Sequence, residues 1–274
     1  MNHLDDLLTP REYVALGEQL TDPELAALYA RRSVTLAMTG QEPRSFERRQ
    51  VAPNVQLFSD PAHAAGSKTL LIGFAGRFGR LMIPNVGFVQ CLPAESFDVR
   101  LMADPRARHF RDGLPGYGTS FRSLVDAIEA DFPARDYRRR VAIGASMGGL
   151  PAVWCGLMAG TNRTIAIGAR VPWDVHRMLE GEGPRHAYDP VCACCSGRHR
   201  EIAFVFAEDH AIDRIQAGHF ARLLGAQTLA IPGVKNHSPL AHLWETGSLS
   251  PFLVSITQAR TFTPRWIVKA RSGH

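Results

Sequence analysis

The spacing of apolar positions changes near residue 50. Before it, Leu and Ala recur at helical intervals between Pro23 and Met38. Thr21, Asp22, Pro23 and Glu24 form a helix-start signal, and Gly40 closes the run. A stretch around Arg11 to Leu20 predicts a second helix, so residues 1–48 are expected to form a helical N-terminal extension with an α-hairpin. From Val51 onward, short apolar runs alternate with segments of helical spacing. Strands are predicted at Asn54 to Phe58, Thr69 to Phe74, Asp98 to Met102, Arg140 to Ile143, Thr164 to Ile167, Ile202 to Phe206 and Gln227 to Ile231. Helices are predicted at Ser120 to Asp131, Gly148 to Met158 and Ile212 to Leu224. Such alternation predicts an α/β domain over residues 49–274, a mostly parallel sheet with helices on both faces.

The segment from Arg170 to Arg200 breaks that alternation and is expected to be a lid or cap, with Trp173, Val175, Met178 and Leu179 as an apolar wall. It contains Cys192, Cys194 and Cys195, with His186 and His199 nearby. One CxxC spacing without a second pair favours reduced loop thiols over a zinc knuckle. Neither a metal nor an organic cofactor is expected.

Composition narrows the picture further. With 274 residues, 45% of them hydrophobic and 21% charged, the chain has the balance of an ordinary globular protein and the length for a sizeable core. No apolar run reaches the length of a membrane span, and the first residues, MNHLDDLLTP, lack the layout of a secretory signal. A cytoplasmic location with reduced thiols is therefore expected; an odd count of five cysteines fits it. The net charge is +5, and 28 of the 31 basic residues are arginine. The arginine clusters 77/80, 106/108/111 and 138–140 match no nucleic-acid motif. They are read as solvated faces, the first two lying in loops where an anionic substrate group is an alternative. Nothing in the sequence sets an oligomeric state.

The chemistry centres on Arg140 to Pro151, RVAIGASMGGLP, an apolar strand run, a glycine-dense turn and a helix whose Leu150, Val153, Trp154 and Leu157 share one face. A serine at the apex of a sharp strand-to-helix turn needs minimal residues two before and two after it, which Gly144 and Gly148 provide. The turn places the Met147 amide at a helix N-terminus, where unpaired N–H groups favour an oxyanion. A phosphate-holding glycine turn is the plainer alternative. After the second predicted strand, Ala75, Gly76 and Arg77 are candidates for another oxyanion amide, with Gly76 preferred. The loop DPRARHFRDGLPGYG, residues 104–118, brings His109, Tyr117 and three arginines toward the same end of the sheet.

The strand Ile202 to Phe206 runs into AEDHAID, where an acid that orients a histidine would sit just past the strand end. Asp209 is preferred and Asp213 is its rival, the other one being expected to cap the following helix. His237, in the loop PGVKNHSP after the last strand, is the histidine placed for general-base work. The order Ser146, Asp209, His237 then matches a nucleophile, acid and base set.

On the elbow GASMGG, the acid turn AEDHAID and the histidine loop GVKNHSPL, residues 50–262 resemble an α/β-hydrolase. In place of the HG dipeptide common before the oxyanion donor stand Phe74 and Ala75. The resemblance implies a serine hydrolase in which Ser146 attacks an ester or thioester, His237 moves the proton, Asp209 holds the imidazole and the Met147 and Gly76 amides hold the oxyanion. The SMGG elbow and arginine-rich loop are similar to those of bacterial hydrolases of cell-surface polysaccharide and acyl-sugar metabolism, which implies a small polar or acyl-sugar ester over a long-chain lipid. An acyltransferase on the same residues and a non-catalytic binding protein are the alternative expectations.

Overall fold

The computed structural model describes residues 4–38, 40–181 and 201–259. Its centre is one eight-stranded sheet: β1 (Glu47–Ala52), β2 (Val55–Ser59), β3 (Thr69–Phe74), β4 (Phe97–Met102), β5 (Arg139–Ala145), β6 (Arg163–Ile167), β7 (Glu201–Ala207) and β8 (Gln227–Ile231). The spatial order is β1-β2-β4-β3-β5-β6-β7-β8. β2 runs antiparallel to β1 and β4, and every other pairing is parallel.

All seven predicted strands form, each within two residues of the expected ends. The unexpected strand is β1, ERRQVA, which begins inside the stretch assigned to helices. Its first four residues are exposed, so it has no apolar alternation to read. It pairs through a hairpin turn at Asn54, whose φ is +63°. Arg48 and Arg49 charge this edge, a feature that discourages further strand addition.

Four short helices precede β1: α1 (Leu4–Leu7), α2 (Pro10–Glu18), α3 (Pro23–Ala30) and α4 (Ser33–Met38). The expected single helix from Pro23 to Met38 is two, divided at Arg31 and Arg32, where the Arg32 guanidinium turns to the buried Asp5 carboxylate. Thr9 and Glu12 form a reciprocal capping box at α2, and Asp22 caps α3 through the amides of Glu24 and Leu25 at 2.8 and 3.1 Å. Tyr13, Val34 and Met38 pack on Val86 of α5 (Asn85–Gln90). Asp6 pairs with Arg80 at 2.8 Å, which ties α1 to the loop after β3.

The central parallel strands β3 to β6 are buried on both faces, as helices on either side require. Leu71, Val99, Val141, Ile143, Ile165 and Val205 pack with α5 and with α10 (Pro239–Glu245) and α11 (Leu249–Gln258). On the opposite face lie α6 (Phe121–Asp131), α7 (Gly149–Met158), α8 (Pro172–Glu180) and α9 (Ala211–Leu224). Their apolar sides meet Leu70, Ile72, Phe74 and Ala142 in one cluster and Ala166, Phe204 and Phe206 in another. No helix among the described residues is long and apolar enough to cross a membrane.

Three arginines are structural, among them Arg140 from a cluster read as solvated. Arg140 is 3% exposed and donates to the carbonyls of Phe132 at 3.2 Å and Ala159 at 2.6 Å, beside Glu129. Arg100, fully buried in β4, lies between the rings of Tyr117 and Phe132, 4.3 and 4.5 Å from their centroids. Arg163, at the start of β6, is also fully buried; it donates to Glu201 at 2.8 Å, to the Ala259 carbonyl at 2.9 Å and to the Ile256 carbonyl. The guanidinium fork matches the several acceptors at the end of α11, which a lysine does not.

Replacing Arg163 with Met leaves those carbonyls without a donor. A loss of about 3 kcal/mol is expected, read as a lower urea midpoint at unchanged m-value; a midpoint equal to wild type would show that water replaces the guanidinium without cost.

Candidate active site

β5 ends at Ala145, and the chain turns through the single 3₁₀ turn Ser146–Gly148 into α7. Ser146 has φ +52°, in the left-handed region that a residue with a side chain rarely occupies. The turn closes because its neighbours lack side chains. A Cβ on Gly144 would lie 2.0 Å from the Gly148 carbonyl oxygen, and one on Gly148 would lie 2.0 Å from that of Phe74. Strand, turn and helix thus meet backbone to backbone, and the serine is held out at the C-terminal edge of the sheet.

His237 reaches the serine from the loop after β8. Its Nε2 lies 2.9 Å from Ser146 Oγ, and its Nδ1 lies 2.7 and 2.9 Å from the two carboxylate oxygens of Asp213. A carboxylate accepts only, so Nδ1 carries the proton, and Nε2 keeps a lone pair toward the serine hydroxyl. The Asp213 side chain is 3% exposed and that of His237 36%. A carboxylate so buried requires hydrogen bonds.

Asp209, the preferred partner of the histidine in the sequence, is displaced by Asp213. Asp209 is exposed in the turn after β7, and its backbone N–H donates to the Val234 carbonyl at 3.2 Å. With the Glu208 amide bonded to Ile231 at 3.0 Å, that turn fastens the histidine loop to β7. The helix begins at Ala211, so Asp213 falls in its first turn with its side chain directed back over the sheet edge. Gln216, one turn on, bonds the Val171 amide at 2.8 Å and Asp174 at 2.6 Å, fixing α9 against α8.

The expected cap is not Asp213 either, but His210. Sequence reasoning missed this residue and also Gly168, at the end of β6. Gly168 has φ +54°, and a Cβ there would lie 2.7 Å from His237 Cε1 and 3.3 Å from Asp213 Oδ2. Only its place after a strand pointing to the same edge signals it.

The Met147 amide lies where expected, in the first turn after Ser146, where helix amides have no intrahelical acceptor. Gly76 does not supply the second amide. It is close enough, its Cβ position lying 3.6 Å from Ser146 Cβ, but its N–H donates to the Arg80 carbonyl at 2.8 Å. Ala75 donates to Met102 at 2.9 Å. Of the three candidates Arg77 remains: its amide donates to no group among the described residues. The Arg77 side chain is exposed.

From the 104–118 loop, His109 is 5% exposed, close to the Met147 backbone. Burial lowers its imidazole below the ordinary histidine value, while the Met147 backbone and the Asp104 charge act the other way. His109 and Phe110 are both left-handed, at φ +55° and +59°, and Asp104 Oδ2 receives the Phe110 and Arg108 amides, each at 2.8 Å. Arg108 and Arg111 pair with Glu180 of α8, and Arg108 also with Asp112. Of the expected lid, residues 170–181 with α8 are described; Cys192, Cys194, Cys195, His186 and His199 lie outside the described residues. Among the described residues, His210, Asp213 and His237 gather their ligand atoms within 4.8 Å of one another, with nitrogen to oxygen separations of hydrogen-bond length.

Gly168→Ala is expected to push the imidazole aside and slow labelling of the protein by a fluorophosphonate about a hundredfold. Gly247→Ala is the control: φ is +68° there, but a Cβ meets nothing within 4 Å. It carries the backbone strain alone, about 1 kcal/mol, and equal labelling loss in both would refute the contact with His237.

No protein-family model matches the chain, and no curated protein matches it in sequence. Solved structures do match in shape. The capsule O-acetyltransferase of Neisseria meningitidis serogroup A superposes with a TM-score of 0.52 at 12% identity, over 80% of this chain and 97% of that one. Brefeldin A esterase, a bacterial homologue of human hormone sensitive lipase, gives 0.51 at 13% identity over 78% and 74%. The peroxisomal α/β-hydrolase of Saccharomyces cerevisiae gives 0.50 at 11% identity over 83% and 96%. With its strand order, its antiparallel β2 and its helices on both faces, the chain has the α/β-hydrolase fold.

Proposed function

We propose that the protein is a serine hydrolase acting on carboxylic esters or thioesters. The observation that carries this reading is the unbroken chain from Ser146 Oγ through His237 to Asp213, with contacts of 2.9 and 2.7 Å. A serine hydroxyl is a poor nucleophile at neutral pH unless an adjacent base takes its proton as the new bond forms. Ser146 Oγ adds to the ester carbonyl carbon while its proton passes to His237 Nε2. Asp213 stabilises the imidazolium formed and keeps the ring in register. The carbonyl oxygen gains negative charge, and the Met147 and Arg77 amides are the donors facing it.

The tetrahedral intermediate then collapses. The bond to the leaving oxygen or sulfur breaks, that atom takes the proton from His237, and the acyl group stays on Ser146. Water, deprotonated by the same nitrogen, repeats the sequence and releases the acid. The resemblance of the SMGG elbow and its arginine-rich loop to bacterial acyl-sugar hydrolases supports a small polar ester, including an acylated sugar, over a lipid. The likeness to the capsule O-acetyltransferase supports a second reading in which an alcohol, in place of water, accepts the acyl group. Fold alone does not choose between the two, and product analysis with an added alcohol does.

Fluorophosphonate labelling together with hydrolysis of p-nitrophenyl esters of increasing acyl length tests the proposal. Ser146→Ala and His237→Ala are expected to lose about 10⁴-fold in kcat, and Asp213→Asn a comparable amount. Asp209→Asn is expected to stay within about twofold of wild type, as an exposed residue outside the chain of bonds. Arg77→Ala keeps its amide and retains most of the rate, whereas Arg77→Pro removes the N–H and loses about 10²-fold or more. A folded wild-type protein that neither labels nor turns over any ester would sink the reading.

A further inference from the structure

A cavity of about 270 Å³ lies where the N-terminal helices meet the sheet domain, between the end of α4, the stretch from Gln41 to Arg44, α5 and the turn that joins α10 to α11. That volume is near the lower end of small-molecule sites. Met38, Trp244 and Leu249 give it an apolar side. Trp244 lies so close to Gly87 of α5 that a Cβ there would be 3.0 Å from the ring. Most polar groups on the wall are already engaged. The Gln90 side chain accepts from the Arg44 amide and donates to the Glu42 carbonyl, both at 3.0 Å. Gln41 Nε2 donates to the Ala37 carbonyl at 3.0 Å, and Ser250 Oγ to that of Cys91 at 2.7 Å. Burial pushes the Cys91 thiol up to about 12 against the opposing Arg44 charge, so it is neutral at physiological pH.

The Arg44 guanidinium is the exception. Its Nε is buried without an acceptor, and the group makes no hydrogen bond or ion pair among the described residues. Glu245, the carboxylate on the lining, is exposed and does not pair with it. The Arg44 backbone is held to α5 through Gln90, which keeps the side chain at the wall. A buried donor that carries charge needs an acceptor. We propose that this cavity binds a small carboxylic acid, whose carboxylate takes the Arg44 fork and whose hydrocarbon part lies on Met38, Trp244 and Leu249. Parallel N–H donors of a planar guanidinium match the two oxygens of a carboxylate. An inorganic anion fits less well, because one side of the cavity is apolar and Glu245 stands at its rim. None of Ser146, Asp213 and His237 lines the cavity, so the site does not depend on how Ser146 is used.

Titration of the full chain with sodium butyrate, hexanoate and benzoate, read by tryptophan emission, tests the site. At least one acid is expected to change the emission with a Kd on the order of 1 mM. Trp244→Phe is expected to abolish that change. Butyramide, hexanamide and benzamide, which lack the charge, are expected to bind about tenfold more weakly. Arg44→Gln is expected to lose about tenfold in affinity for the acid, at an unliganded Tm no lower than wild type, since the guanidinium gives up no partner. Arg48→Gln, on the exposed edge strand β1, removes the same charge and is expected to bind as wild type does. Silence toward all three acids, amides that bind as tightly as the acids, or a response that survives Arg44→Gln or Trp244→Phe overturns the proposal. So does an unliganded Arg44→Gln Tm several degrees below wild type, which would give the guanidinium a structural role. The comparison of acid with amide uses the wild-type protein and decides even where a variant fails to fold.

Discussion

Contact between bare backbones at the elbow is the constraint on which the rest of the site depends. With Gly144 and Gly148 each leaving room for a carbonyl oxygen that a Cβ would meet at 2.0 Å, β5 and α7 close on β3 at the tightest distance the chain allows. That closure raises Ser146 above the sheet edge and puts the first amides of α7 beside it. Everything else arrives from neighbouring strand ends: the 75–80 loop from β3, Gly168 from β6, Asp213 from beyond β7 and His237 from beyond β8. Parallel strands bring these ends to one edge. The chain therefore needs no local cluster in sequence to assemble one in space.

A division of labour runs along the sheet. At the start of β5 and β6, Arg140 and Arg163 fill their donors with carbonyls and carboxylates of adjoining helices and strands, and Arg100 lies between two rings in β4. These charges are buried, paired and engaged in holding helices to the sheet. At the opposite ends, the histidine and the serine stay partly open to solvent, and only the carboxylate behind them is sealed. The N-terminal helices enter the same arrangement indirectly. Asp6 holds Arg80, whose carbonyl occupies the Gly76 amide, and so the first helix is tied to the loop that follows β3.

Much of this was legible in the sequence, and the reasons differ by residue. Most of the seven strands could be read because buried strands are continuous apolar runs, whereas β1 is exposed and charged and carries no such pattern. Ser146 and His237 carry strong local signatures, a glycine-flanked turn and a loop after a final strand. Asp209 and Asp213 share one turn, and the choice between them depends on where α9 begins and which way its first turn faces; that is three-dimensional information, spaced four residues apart. The Gly76 amide was likewise misjudged through a bond to Arg80 that closes the loop on itself. The burial of Arg140 is hidden for a similar reason, since a cluster of charges reads the same whether water or carbonyl oxygens surround it.

The left-handed Ser146 has a consequence for how the protein would change under selection. A non-glycine residue held at φ +52° costs on the order of 1 kcal/mol that glycine at the same place would not. Natural folds sit only a few kcal/mol above unfolding, so the position is a standing conflict between durability and chemistry. A library of this chain sorted for thermal survival alone would drift toward glycine at 146 and discard the hydroxyl. Retention of serine there, in the face of that pressure, would mark a lineage in which the hydroxyl is used.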